Sequence, residues 1–251
     1  MTKVSDVVSA MEDFAPLHLA EEWDNSGFLI GDEEREVKKI AVMLDLDKNT
    51  LTEALNVGAD MIVTHHPIIM SGISSITNPI YLKLIENKIS VYCAHTSLDS
   101  ADEGVNDVLA RKIGLDNVEK IAFGTFNAKG GTVQNCSFSK LIEMVKHRLG
   151  IKSVRYVGEK ETEICKVCVI GGSGGDFITD VKESGFDALV TADIKYHQAQ
   201  TADSIGLCVI DAGHFETENP VIYKIAEYLH GLYKDIEIIT SLRNKSYIKY
   251  E

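Results

Sequence analysis

The apolar positions of this chain fall into two alternating registers, one helical and one extended, repeated along its length. The N-terminal "VSDVVSAMEDF" places Val4, Val7, Val8, Met11 and Phe14 along one side of a helix, with acidic and hydroxyl residues opposite. From residue 39 onward, β-branched runs of strand length alternate with periodic helices. "KIAVMLDLDKNTLTEALNVGADMIVTHH" (39–66) aligns without a gap to "KVCVIGGSGGDFITDVKESGFDALVTAD" (166–193), at a constant offset of 127. Identities include Lys39 with Lys166, Val42 with Val169, Gly58 with Gly185, Asp60 with Asp187 and Thr64 with Thr191. Each copy reads as strand, polar or glycine turn, helix, glycine C-cap and second strand, which is a βαβ unit. A third strand follows each copy, "ISVYCAH" (89–95) and "GLCVIDAGH" (206–214). Between the copies, "SFSKLIEMVKHRLG" reads as a helix, and "GGTVQNC" and "SVRYVGE" read as strands.

The pattern predicts an α/β protein of two related halves, with mixed, largely parallel sheets flanked by helices. The first half is expected over 1–124, completed by the C-terminal 211–251, and the second over 125–210. Ligands of open α/β sheets bind beyond the carboxyl ends of the strands, so a site is expected there, between the halves.

The 251 residues are 45% hydrophobic and 25% charged, as in ordinary globular proteins. A net charge of −13 argues against nucleic acid or an anionic membrane as the main partner. No run has the length of a membrane span, and the N-terminal helix lacks the apolar core of a signal peptide. Five cysteines, an odd number set mostly in strand-like runs, suit reduced thiols and a cytoplasmic location. "CKVC" (165–168) resembles a redox or metal pair, but residues three apart on a strand face opposite sides, so buried core cysteines are the simpler expectation.

Five of the eight histidines, His65, His66, His95, His197 and His214, fall at or beyond strand ends. In "MIVTHHP" the strand stops at Pro67, and two adjacent strand-end histidines diverge. They suit two neighbouring ions better than one; a hydrogen-bonded loop pair is the alternative. The next strand end offers His95 and Asp99 in "AHTSLDSADEG", where Asp99 also fits a helix N-cap and Ser100 with Glu103 fits a capping box. The third offers His214 and Glu218 in "DAGHFETENP", with a helix expected to begin near Glu218 and His214 in the turn before it. Three strand ends supplying His-His, Asp and His with Glu suit Zn²⁺, Mn²⁺ or Fe²⁺. No HExxH, G-x-S-x-G or Walker A pattern is present. The "GGSGGD" loop (171–176) offers amides that could cradle a phosphate, with a plain tight turn as the alternative.

"EEWDNSGFLIG", "GADMIVTHHPIIM", "AHTSLDSADEGVNDVLA", "VTADIKYHQAQTA" and "DAGHFETE" together resemble the ordered motifs of the GTP cyclohydrolase I type 2 homolog family, also called Nif-three-like dinuclear metal-centre proteins. The resemblance runs from near residue 20 to near residue 220. It implies a two-part α/β fold and a toroidal homohexamer enclosing two divalent ions per chain, with Zn, Mn or Fe as the candidates. By motif match it assigns His65, His66, Asp99, His214 and Glu218 as ligands. His95 and His197 match positions near the site and become candidate catalytic proton shuttles, while Trp23, Asp24 and Asn25 are expected to line the cavity. The chain has the family's short form, without an inserted domain, and departs from it at Ala192, where glycine is usual. The implied activity is hydrolysis of a small, nucleotide-class molecule. The alternative is a non-enzymatic hexameric metal-binding scaffold or regulatory protein.

Overall fold

The N-terminal apolar stripe forms α1 (Val4–Phe14) in a computed structural model, which describes residues 1–249. The chain divides into two units, Met1–Asp102 with Val221–Lys245, and Glu103–Pro220 with the segment from Ser246.

In the first unit, β1 (Gly27–Ile30) and β2 (Lys39–Met43) are followed by α2 (Lys48–Val57), β3 (Met61–Thr64), α3 (Pro79–Glu86), β4 (Ser90–Cys93) and the short α4 (Thr96–Ser100). Asp47 caps α2 by accepting the Asn49 and Thr50 amides, and Gly58 ends it in the left-handed conformation, as expected. Every residue of β3 and β4 is buried, as in a parallel sheet covered on both faces.

The second unit begins with α5 (Val105–Ile113), then β5 (Asp116–Phe123), β6 (Phe126–Ser137), α6 (Phe138–Leu149), β7 (Arg155–Val157) and β8 (Glu163–Val169). After it come α7 (Ile178–Glu183), β9 (Ala188–Thr191), α8 (Tyr196–Ile205), β10 (Cys208–Asp211) and α9 (His214–Glu218). Its strand order is β5-β6-β8-β9-β10-β7, in which only β8-β9 and β9-β10 are parallel. This sheet is therefore more mixed than the pattern predicts. The β5–β6 hairpin and the edge strand β7 account for the difference; β5 is mostly exposed, and only Ile121 and Phe123 alternate inward at its end. Val167, Val169, Val190 and Ile210 pack with α5 and α6 on one face. Cys168, Leu189 and Val209 pack with α7 and α8 on the other.

The chain then returns to the first unit as α10 (Val221–Leu232) and β11 (Glu237–Thr240), which lies parallel to β2. The first sheet thus has the order β1-β4-β3-β2-β11, with only β1 antiparallel. Phe14 of α1 stacks on Tyr228 of α10, with ring centroids 4.5 Å apart. The division between units falls at 102/103 and 220/221, not near 124 and 211. The reason is that α5 buries Leu109, Ala110 and Ile113 in the core of the second unit.

The repeat is visible in one detail of both units. Asp60 Oδ2 accepts the Lys38 and Lys39 amides at 2.9 and 3.1 Å. Asp187 Oδ2, at the same offset, accepts the Cys165 and Lys166 amides at 2.9 and 2.8 Å. A carboxylate opening the second strand thus ties down the start of the first, which fixes the register of each βαβ unit. Among the described residues no helix is long and apolar enough to cross a membrane.

Candidate metal centre

The β3 ladder runs one step past the strand itself. The amides of His65 and His66 still donate to the carbonyls of Met43 and Leu44, at 3.2 and 3.0 Å, which sets both imidazoles at the carboxyl end of the first sheet. His65 is fully buried, and its Nδ1 donates to the Ala94 carbonyl at 2.8 Å. A carbonyl can only accept, so Nδ1 carries a proton, and in the neutral form of the ring the lone pair is on Nε2. Nε2 faces Asp99 Oδ1 at 3.6 Å, beyond a good hydrogen bond. His66 Nδ1 lies 2.7 Å from Asp45 Oδ1. The two rings diverge less than strand alternation predicts, because they sit past the last strand pair; their centroids are 4.9 Å apart, tilted by 40°.

His95 joins them from the end of β4, with its ring 5.5 Å from that of His65 and 5.6 Å from that of His66. Its Nδ1 is 2.8 Å from Asp24 Oδ1. Asp24, whose side chain is fully buried, also accepts the Ser26 hydroxyl at 2.7 Å and the Thr96 hydroxyl at 2.6 Å. Burial alone would raise its pKa. The hydrogen bonds from His95, Thr96 and Ser26 overcome that and hold it well below the usual carboxylate range. Trp23 sets its ring edge-on to His95 at 5.9 Å and is 61% exposed. Asn25 Nδ2 donates to the Ile69 carbonyl at 2.6 Å, tying the "EEWDNSG" segment to the loop after the histidine pair.

In the second unit His214 is the first residue of α9, not part of a preceding turn, and Glu218 lies one helical turn later. The helix starts early because Gly213 adopts φ +89° at its N-cap, and Asp211 Oδ1 accepts the Gly213 amide at 3.3 Å. His214 Nε2 is 2.9 Å from Glu218 Oε2, and its Nδ1 is 2.7 Å from Asp193 Oδ2. Glu218 itself is buried.

The glycine loop has a packing task, which suits the tight-turn reading of it. Its amides at Gly171, Gly172 and Gly174 donate to Asn106 Oδ1, Thr217 Oγ1 and Thr191 Oγ1, at 2.8, 3.1 and 2.9 Å. A Cβ on Gly172 would lie 2.1 Å from Glu218 Oε1 and 3.2 Å from His214 Cε1, at a left-handed φ of +61°.

Two local readings differ from what is found. Asp99 lies inside α4, so its alternative reading as an N-cap falls away, and Ser100 closes α4 and is not the N-cap of α5. The N-cap of α5 is Gly104, and its third residue, Asp107, accepts the Glu103 amide at 2.9 Å. His197 is exposed on α8, with its ring 5.5 Å from that of Tyr196 and its Nδ1 3.4 Å from Gln200 Oε1. The two cysteines of "CKVC" lie on opposite sides of β8, as strand alternation predicts, but only Cys168 is a buried core cysteine; Cys165 is exposed, and burial pushes the Cys168 thiol up to about 12.

The three histidines predicted as ligands share one arrangement. His65, His66 and His214 each have Nδ1 held by an oxygen acceptor, Ala94, Asp45 and Asp193 respectively. Each ring is thereby oriented to offer Nε2, the support that metal-binding imidazoles require. Asp99 in the first unit and Glu218 in the second each add a carboxylate, and imidazole with carboxylate is the chemistry that suits borderline divalent ions. Asp45 and Asp193 were not singled out from sequence. The available signals were an acidic residue just past the end of β2, and the alignment of Asp193 with His66 at the offset of 127.

Comparison with known proteins finds relatives and solved structures that match nearly the whole chain. A Clostridium acetobutylicum protein named GTP cyclohydrolase 1 type 2 homolog is 36% identical over 252 residues, covering 96% of this chain and 94% of its own. A crystal structure of a Bacillus cereus protein related to NIF3 matches with a TM-score of 0.92 at 23% identity, covering 100% of this chain and 99% of that one. A Staphylococcus aureus crystal structure matches with a TM-score of 0.87 at 28% identity, again over 100% and 99%. The profile of Duf34/NIF3 (NGG1p interacting factor 3) matches residues 2–246, and the chain belongs to that family.

Proposed function

We propose that this protein is a metal-dependent hydrolase acting on a small, nucleotide-class substrate. In this reading His65, His66 and Asp99 of the first unit, with His214 and Glu218 of the second, hold two divalent ions. The observation that carries it is the shared imidazole arrangement, in which three Nδ1 atoms are anchored by Ala94, Asp45 and Asp193. When bound, such ions supply Lewis-acid polarisation of a substrate oxygen and acidify water.

The chain's own residues do the rest. His95 Nδ1–H points at Asp24, a carboxylate kept ionised by its hydrogen bonds, so His95 Nε2 is the atom that takes and returns a proton. Asp24 fixes the tautomer and stabilises the imidazolium. Trp23, exposed beside His95, offers a flat apolar face to a substrate ring. His197, which packs against Tyr196, has no part in this reading.

The test is metal analysis of the purified chain loaded with Mn²⁺, Zn²⁺ or Fe²⁺, followed by turnover assays on GTP, other nucleotides and phosphoesters. Asp45→Asn and Asp193→Asn should each weaken metal affinity by about 10- to 100-fold. His65→Ala should abolish turnover. Full metal content in both His66→Ala and Glu218→Ala would refute the ligand set. Stoichiometric metal without turnover would leave a metal-binding scaffold.

A further inference from the structure

We propose that the second unit carries a separate cleft for a small planar aromatic anion, of the purine nucleoside monophosphate class, between β7 and the start of α8. None of the proposed metal ligands lines it.

The argument begins with the alternation of β7. Arg155 and Val157 face the side of the sheet covered by α8. Tyr156, between them, also borders the cleft, while its ring meets Phe138 at 6.0 Å. On the α8 side lies a cleft of about 280 Å³ whose floor is Val157, Ala199 and Val209. That volume suits one ring system and its substituent better than a larger ligand.

The rim is cationic and aromatic. Arg155 is held in place by the Asp211 carboxylate, and by the Ile194 carbonyl at 3.1 Å, so its planar fork is oriented before any ligand arrives. Lys195 adds a second positive charge beside it. Asp211 also lines the cleft and is paired with Arg155, so Lys195 leaves the lining with one net positive charge; in a chain of net charge −13, that excess over an apolar floor marks a place for an anion with an apolar body. Tyr196 decides between an aliphatic and an aromatic body. At 80% exposed it contributes little burial to the fold, yet His197 braces its ring edge-on at 82°. A braced, solvent-facing ring at the mouth of an apolar cleft is a stacking platform.

The experiment is calorimetric titration of the full chain, stripped of metal by a chelator, with AMP, adenosine and inorganic phosphate. AMP should bind saturably at one site per chain, with adenosine and phosphate each markedly weaker. Tyr196→Ala and Lys195→Glu should each weaken AMP binding by at least about five-fold. Tyr223→Ala, which alters an exposed tyrosine of the first unit, should leave it unchanged. No AMP binding at millimolar concentration overturns the proposal, as does binding that Tyr196→Ala and Lys195→Glu leave intact. A change in particle mass by light scattering in Tyr196→Ala would overturn it too, by making this face a contact between copies. Because the titration is metal-free, its failure leaves the metal reading standing.

Discussion

Replacing Gly172 with alanine isolates the role of the glycine loop, because Gly185 provides a matched control in the same unit. Both adopt left-handed φ, +61° at Gly172 and +81° at Gly185, so alanine costs each about 1–2 kcal/mol of backbone strain. Around Gly185 a new Cβ meets nothing within 4 Å. At Gly172 the same atom falls 2.1 Å from Glu218 Oε1 and 3.1 Å from Glu218 Cδ. The carboxylate has little freedom to move, since Glu218 is 3% exposed and its other oxygen lies 2.9 Å from His214 Nε2. Overpacking of this kind costs roughly 1–3 kcal/mol more. In a chain of this size each kcal/mol lowers Tm by about 2–4 °C, so Gly172→Ala should melt between about 2 and 12 °C below Gly185→Ala. Differential scanning calorimetry of both variants, with and without added Mn²⁺, reads the difference, and metal analysis should find Gly172→Ala depleted and Gly185→Ala normal. Equal Tm values and equal metal contents would refute the claim that the loop buttresses Glu218.

Three further outcomes follow from the cysteines and from Asp24. In the native chain only Cys165 should react quickly with a thiol-disulfide reagent, since Cys93, Cys136, Cys168 and Cys208 are buried and burial raises the pKa of each. The Cys168 thiol, raised from 9.0 to about 12, adds stability that is complete below about pH 9 and is lost as pH climbs towards 12, so Cys168→Ala should flatten that alkaline limb of a urea-unfolding profile. Asp24 has the opposite sign. Its lowered pKa gives stability that is complete above the ordinary carboxylate range and disappears as pH falls below about 4; Asp24→Asn should be less stable at pH 7 and show a shallower acid limb.

The elements that position the site are those whose sequence signals are local and strong. The βαβ repeats, their glycine caps at Gly58 and Gly185, and the strand ends carrying His65, His66, His95 and His214 can all be read from periodicity and spacing. Less legible are features set by tertiary packing. β5 is a mostly exposed edge strand whose inward alternation is confined to Ile121 and Phe123 at its end. The start of α9 depends on Gly213 at positive φ and on Asp211, which no helix propensity reports. Asp45 and Asp193 act through hydrogen bonds to imidazoles about 21 residues away in sequence, a relation that spacing alone does not single out. "GGSGGD" resembles a phosphate loop because glycine also serves where backbone must approach a buried carboxylate.

The return of the chain through α10 to β11 has a consequence for synthesis. Ile238 of β11 pairs beside Ile40 of β2, partners separated by about two hundred residues. The first unit is therefore begun before residues 103–220 are made and closed only after them. Until β11 arrives, β2 presents an open edge of unpaired amides and carbonyls, while the Glu103–Pro220 stretch of the second unit has already been made. The exposed interval in synthesis is the wait of β2 for β11.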